Sequence, residues 1–428
     1  MNHHVQHPPI SPPTKPRPVS RWFGPGLIMA ASGIGASDII AATVGGATHG
    51  LALLWALVLG SFFKFVLSEG IARWQIATGL TALEGWSRYL PRWVMALFAI
   101  YLILWAAAVS GTLVSGCGLA IENISNGAVP RTWGGFAQAA IAFVLIGWAR
   151  AGIFSPVMKP LIVVMFASIV ACAALTFRDP VAVLHGLLVP EIPRGGGTYV
   201  LSLIGGIGGS LTLLSYHYLL RDEGKNDPRS LCAVRLDLAT AYLFTAIFGV
   251  SVMLISNRVF HAAGIAITDR EAVPRMAGAL AALTGPAGFY IYSIGFWAAV
   301  LASLAGVWQT IPSVFADCFC LLRRVPADQR KVEILPGSAS YRAALLFMAL
   351  ASVPFAFLGS PLAIVIAFTV LGSLFIPFLA GTLLYLNNRI AFPPPTRPNR
   401  LATNIVLGLV VVLFGIVGTR EIAELLGK

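Results

Sequence analysis

Charge is scarce in this chain. Only 11% of its 428 residues are Asp, Glu, Lys or Arg, where a soluble globular protein averages about 25%. Acidic residues are the scarcer kind, 17 against 29 basic ones. So few charges cannot clothe a water-soluble fold of this length, and soluble enzyme or binding-module classes drop out. Cysteine is sparse too. Cys117, Cys172, Cys232, Cys318 and Cys320 form no Cys-x-x-Cys pair and no secreted disulfide framework; they read as small apolar fillers. No Gly-x-x-x-x-Gly-Lys phosphate loop, catalytic triad or zinc-helix motif is present. ATP drive within the chain, enzyme activity and a resident cofactor are therefore not expected.

What the chain has in abundance is apolar sequence: 57% of residues, with a mean hydropathy of +0.82. A membrane-crossing helix needs about 20 consecutive apolar residues. Runs bounded by charges or turn residues predict eleven spans, near 24–49, 51–73, 93–117, 133–149, 157–177, 197–220, 236–257, 286–316, 343–358, 361–387 and 401–419. Pro156 is expected to open the fifth. Pro160, Pro312 and Pro377 fall inside spans, where neighbouring helices can satisfy the freed backbone groups. Residues 1–21 are polar, basic and proline-rich, with no apolar signal-peptide core, and are expected to be a disordered cytoplasmic tail. His3, His4 and His7 belong to that tail.

The net charge of +12 does not point to nucleic acid, because the basic residues lie in short loops between apolar runs. With the N-terminus cytoplasmic, twenty Lys and Arg fall on the inner side and eight on the outer, and the remaining one, Lys64, lies within a span. The positive-inside rule then predicts a protein of the cell's inner (plasma) membrane, N-terminus inside and C-terminus outside, with the lipid bilayer as its partner. Oligomeric state has no signature here.

Two five-residue runs are nearly identical: Gly33-Ile34-Gly35-Ala36-Ser37 in span 1 and Gly206-Ile207-Gly208-Gly209-Ser210 in span 6. Glycine there costs about 1 kcal/mol per residue of helix propensity against alanine. Span 1 runs outward and span 6 inward. Ten spans thus divide into two inverted halves, about 22–180 and about 195–390, followed by a linker and helix 11 over 391–428. Paired interruptions in such halves are the mark of broken helices around a midplane site. The alternative, glycines that let helices pack closely, suits Gly45, Gly46 and Gly116.

Asp38 follows the first run directly, near the middle of span 1. A charge at the bilayer centre costs at least about 2.5–3.5 kcal/mol and suggests function. Its carboxylate, backbone at Gly35 and Gly209, and hydroxyls of Ser37, Ser210, Thr212 and Ser215 make a hard, oxygen-rich set suited to Mg²⁺, Ca²⁺, Mn²⁺ or an alkali ion. Asp38 is also well placed to cap the outer half of span 1. Lys64 and Glu69 in span 2 are five apart, poor geometry for a pair on one helix, so partners on other helices are expected, in a structural ion pair or in proton movement or gating. Lys64 has a stem able to snorkel. His217 on the inner half of span 6 is a candidate proton relay or a histidine satisfied by its neighbours. Asp237 and Asp317, at the cytoplasmic ends of spans 7 and 8, read as interface or loop-bridging carboxylates, with lining of the inner exit as the alternative. Gln309 is a candidate partner for the broken helices, and Trp308 reads as packing.

Further residues carry a family resemblance: Gly24-Pro25-Gly26 opening span 1, Gly45-Gly46-Ala47 near its end, Leu53-Leu54-Trp55 opening span 2 and Ile76-Ala77-Thr78-Gly79 closing it. With the span plan, they resemble the natural resistance-associated macrophage protein (NRAMP) family of proton-coupled divalent metal transporters. The resemblance implies an all-α integral membrane protein of five-plus-five inverted-repeat fold, shared with sodium-coupled amino-acid symporters, with helices 1 and 6 broken. It departs at the metal motifs. The family's Asp-Pro-Gly-Asn falls on Gly35-Ala36-Ser37-Asp38, so Gly35 stands at the metal-binding Asp and Asp38 at the Asn. Its Met-Pro-His falls on Thr212-Leu213-Leu214, which removes the thioether and the histidine. The expected cargo is a hard divalent cation carried by alternating access, with proton coupling implied by the resemblance alone. A symporter for an amino acid or organic cation, and a non-transporting sensor or scaffold, are the alternatives.

Overall fold

The computed structural model describes residues 25–148, 154–206, 208–216, 218–219, 231–265, 267, 272–357, 361–389 and 398–426. The expected tail, 1–21, lies outside the described residues. Span 1 is two helices, α1 (Pro25–Gly33) and α2 (Ala36–His49), bent by 59° at the glycine run. Next come α3 (Leu54–Thr78), α4 (Ala82–Tyr89), α5 (Arg92–Ile124), α6 (Arg131–Trp148), α7 (Phe154–Thr176) and α8 (Pro180–Leu188). Span 6 opens with α9 (Gly197–Gly206), breaks, and resumes as a 3₁₀ turn, Leu211–Ser215. The remainder is α10 (Leu231–Ser256, ending in a π turn, Asn257–His261), α11 (Ala272–Thr284), α12 (Pro286–Leu322), α13 (Ala327–Glu333), α14 (Ala339–Phe357), α15 (Pro361–Arg389) and α16 (Leu401–Leu426).

A helix or broken helix stands at each expected span. Among the described residues, seven helices are long and apolar enough to cross a membrane, and the bent pair α1–α2 makes an eighth; α14 and α16 carry shorter apolar stretches. Pro160, Pro312 and Pro377 do lie inside helices, and so does Pro354. The fifth span begins at Phe154, two residues ahead of Pro156.

The sequence reading did not anticipate the short helices α4, α8, α11 and α13. Two had readable signals. Thr81 and Glu84 form a reciprocal capping box, with Thr81 N–H donating to Glu84 Oε2 (2.6 Å) and Glu84 N–H to Thr81 Oγ1 (3.1 Å). Asp179 caps α8 by accepting from the amides of Val181 and Ala182, both at 3.0 Å, with Pro180 as the first helical residue.

The long helix α12 runs through the middle of the bundle against α1, α5 and α7, and α10 lies against α1, α2 and α3. Large apolar side chains on the outer helices, such as Leu97, Ile100 and Leu104 on α5 and Leu236 and Leu243 on α10, point outward. An outside that is apolar around a core that holds polar groups is the pattern of a multi-pass membrane protein.

Candidate functional site

The two glycine breaks touch. A Cβ added at Gly33 would lie 2.2 Å from the carbonyl carbon of Gly208, and one at Gly209 would lie 3.0 Å from Gly33 Cα. Only residues without side chains let two backbones approach so closely. The breaks are made differently. In the second, Gly208 (φ +74°) and Gly209 (φ +79°) are both left-handed, a conformation open to glycine at little cost. In the first, Gly35 is extended (φ −131°, ψ −165°), and its glycine serves proximity: a Cβ there would sit 2.8 Å from Ser303 Oγ.

Neighbouring helices fasten both breaks. Ser303 Oγ on α12 donates to the Ser32 carbonyl at the end of α1 (2.7 Å), and Trp105 Nε1 on α5 donates to Ser210 Oγ beside Gly209 (3.1 Å). Neither fastener was legible in the sequence.

Asp38 sits one turn into α2, and one of its oxygens is committed: Oδ2 accepts the Gly35 N–H at 2.8 Å. This is half of a capping box, since Gly35 has no side chain to return the bond. The other oxygen, Oδ1, is buried with no hydrogen-bond partner among the described residues. Asp38 is 4% exposed. It borders a narrow crevice with Ile34 and with Thr245, Phe248, Gly249 and Val252 of α10. Capping and a spare ligand oxygen therefore coexist in one carboxylate.

Lys64 is the charge that Asp38 senses; the two lie within electrostatic reach of each other across α2 and α3. Lys64 does not snorkel. It is wholly enclosed, because an opposite charge inside the bundle takes the place of water at the membrane edge.

Thr212 and Ser215 are buried in the 3₁₀ turn, and the hydroxyls Thr212 Oγ1 and Ser215 Oγ have no hydrogen-bond partner among the described residues. Gly209 lies directly against Thr212: a Cβ on it would be 2.0 Å from Thr212 Oγ1. Neither hydroxyl residue lines the crevice at Asp38, whose far wall is α10. The sequence reading therefore missed Thr245 as a neighbour of the carboxylate. Only the backbone is described at Ser37, and His217 lies outside the described residues. Among the described residues, no three of His, Cys, Asp or Glu come together as a metal-binding group. A cation here would be held by one carboxylate with hydroxyl and carbonyl oxygens, a hard donor set.

The other charged residues act at the end of the bundle that carries α4 and α13. Glu69 pairs with Arg73 on its own helix (3.3 Å) and with Arg235 on α10 (2.7 Å), the ion-pair reading weighed for it. Asp237 on α10 accepts from the Gly26 amide at the start of α1 (2.8 Å) and from Tyr216 OH (3.1 Å). Asp317 on α12 accepts from Thr81 Oγ1 (3.1 Å) and Tyr218 OH (2.8 Å), and pairs with Arg330 Nε (3.3 Å); Arg330 also pairs with Glu84. Each carboxylate joins a tyrosine just past the second break to another element, Asp237 at a helix interface and Asp317 beside α4 and α13. Gln309 meets Tyr341 OH through its backbone carbonyl (2.9 Å). Trp308 packs wholly buried, its Nε1 donating to Ser110 (3.2 Å).

Comparison with known proteins identifies the fold and the family. The chain is 24% identical over 266 residues to the divalent metal cation transporter MntH of Chromohalobacter salexigens, a match covering 58% of this chain and 60% of that one. The chain thus spans less than two thirds of that relative. Its fold is similar to the crystal structure of a manganese transporter of Eremococcus coleocola in complex with an aromatic bis-isothiourea compound, with a TM-score of 0.68 at 16% identity, covering 94% of this chain and 86% of that one. It is also similar to MhsT in complex with L-phenylalanine, with a TM-score of 0.54 at 14% identity, covering 92% and 97%. The two likenesses extend over nearly the whole chain and support the all-α five-plus-five fold expected from the sequence. Residues 26–422 match the family profile "Natural resistance-associated macrophage protein-like", and the chain belongs to that family.

Proposed function

We propose that this protein is a secondary-active transporter that moves a hard divalent cation across the cell's inner (plasma) membrane by alternating access. Family membership and the metal-transporting relatives support the class of cargo. The observation that carries the site is Asp38: a buried carboxylate at the first break, with one oxygen capping α2 and the other unclaimed.

In this reading Asp38 is the charged ligand. Gly35, Gly209 and Ser37 contribute backbone or hydroxyl oxygens, and Thr212 and Ser215 contribute the buried hydroxyls of the facing break when the halves move. Lys64 balances Asp38 between cargo events and is the leading gating residue; His217 stays a proton-relay candidate. Glu69, held by two arginines, is better suited to fixing α3 on α10. Proton coupling rests on the family alone. The excess of Lys and Arg on one side supports a cytoplasmic N-terminus and an external C-terminus.

The test is uptake of Mg²⁺, Mn²⁺ and labelled amino acids into liposomes carrying the purified protein, beside Asp38→Ala. Divalent uptake abolished by the substitution is the expected result. Divalent flux that survives it removes Asp38 from the mechanism. Amino-acid uptake without divalent flux would establish an organic-solute symporter instead, and no flux of any kind would leave a sensor or scaffold.

A further inference from the structure

Beside the Glu69 ion pairs, and away from the glycine breaks, an open cleft of about 380 Å³ lies between α3, α10 and the start of α16. Among the described residues its charged lining is lopsided, Arg73, Arg235 and Arg400 against Glu69, a net charge of about two positive units from these four at neutral pH. Arg73 lies within electrostatic reach of both Arg235 and Arg400. Like charges gathered around one carboxylate are costly unless an anion joins them. Arg73 is fixed in place, its Nη2 donating to Asn399 Oδ1 (2.6 Å), whereas the Arg235 side chain is 45% exposed and Arg400 is exposed. The first turns of α10 and α16, both 26-residue helices, open at this cleft with Leu231 and Ala402 among its lining. Helix N-termini add partial positive charge there.

Apart from Thr403, the rest of the described lining is apolar, with Phe65 and Leu231 among it, and the neighbouring outer surface presents Leu236 and Leu401 outward. A soluble anion has no use for such a wall, whereas a phospholipid does. Its phosphodiester meets the arginines, and its acyl chain lies along Phe65 and Leu231. All three arginines belong to the basic set that the positive-inside rule assigns to the cytoplasmic side, where basic pockets between membrane helices meet anionic headgroups.

We infer that this cleft is a binding site for an anionic phospholipid, with Arg73, Arg235 and Arg400 holding its phosphodiester.

The test titrates the intact detergent-purified protein with phosphatidylglycerol, phosphatidylcholine or glycerol phosphate, reading bound lipid by native mass spectrometry. The proteins compared are the wild type, Arg400→Gln, and Arg92→Gln as a control on the exposed start of α5. Phosphatidylglycerol should bind the wild type in preference to phosphatidylcholine, and Arg400→Gln should weaken it about five- to tenfold. Arg92→Gln should leave it unchanged, and glycerol phosphate should not compete. Arg400 is exposed and meets no residue of the glycine breaks, so its loss leaves the fold in place; unchanged thermal unfolding of the variant checks this. The inference is overturned if both lipids bind alike, if the two variants weaken binding equally, or if glycerol phosphate displaces the lipid.

Discussion

Replacing Gly33 with alanine adds one methyl group at the tightest point of the molecule. Its Cβ would fall 2.2 Å from Gly208 C, 2.3 Å from Gly208 O and 2.5 Å from Gly209 N. Carbon atoms pack at about 3.5–4.0 Å, so the breaks would have to part by more than about 1 Å. There is little slack behind them, because on its other side Gly208 faces Thr245, with Cγ2 only 2.9 Å from where a Cβ would stand. Overpacking of this kind costs about 1–3 kcal/mol, and more where the obstacle is backbone. Alanine's better helix propensity returns at most about 1 kcal/mol, so the net effect is destabilising by about 2 kcal/mol. Gly408 in α16 is the internal control, since a Cβ added there meets nothing within 4 Å. The assay is thermal unfolding of the detergent-purified proteins, followed by the fluorescence of the ten tryptophans, with uptake into liposomes alongside. Gly33→Ala should unfold several degrees earlier and lose uptake, while Gly408→Ala should match the wild type or exceed it. A Gly33→Ala protein with unchanged unfolding and full uptake would refute the direct contact of the breaks.

Further substitutions separate roles that one residue combines. Asp38→Asn keeps an oxygen for the Gly35 amide but leaves buried Lys64 without its opposite charge; it should lose divalent uptake and unfold earlier than the wild type but later than Asp38→Ala, which loses the cap as well, and equal unfolding of the two variants would assign the residue's stabilising effect to its charge and not to its cap. Asp237→Ala leaves the Gly26 amide and Tyr216 without their shared acceptor, a loss of about 1–3 kcal/mol, and should raise the reactivity of a cysteine placed at position 26 towards a water-soluble thiol reagent. Arg330→Gln removes the cation paired with buried Asp317 and leaves it the hydroxyls of Thr81 and Tyr218, at a cost of up to about 3–5 kcal/mol. Because Arg330 serves both Asp317 and Glu84, the Arg330→Gln/Asp317→Asn double variant should be less damaged than the two single losses summed, as a thermodynamic cycle would measure.

The scaffold was legible because membrane spans are written locally. Length and apolarity mark each span, and a pair of glycines inside one marks a break; both breaks stand where those residues are. Asp38 was legible for the same reason, as an acidic residue inside an apolar run. Its surroundings were not. A partner for Lys64 on another helix was expected, and packing puts Asp38 within its electrostatic reach. Thr245, Ser303 and Trp105 gave no sign of meeting the breaks, being ordinary residues of long helices. The short helices α4 and α8 carried cap signals, Thr81 with Glu84 and Asp179 with Pro180, that the search for long apolar runs passed over.

By itself the sequence determined a polytopic, all-helical membrane protein with two inverted halves, broken helices 1 and 6, and one carboxylate at the first break. Local chemistry suffices for these: hydrophobic length for the spans, backbone freedom for the breaks, the cost of a buried charge for Asp38. Only the tertiary structure decided that Gly33 lies on Gly208, that α10 forms the far wall at Asp38, that Lys64 comes within its electrostatic reach and that three arginines gather at α16. A helix that is apolar on nearly every face carries no stripe to show which side meets which neighbour. Its rotation is fixed by the close fit of small residues and by a few buried polar partners, and those become visible only when the helices are packed together.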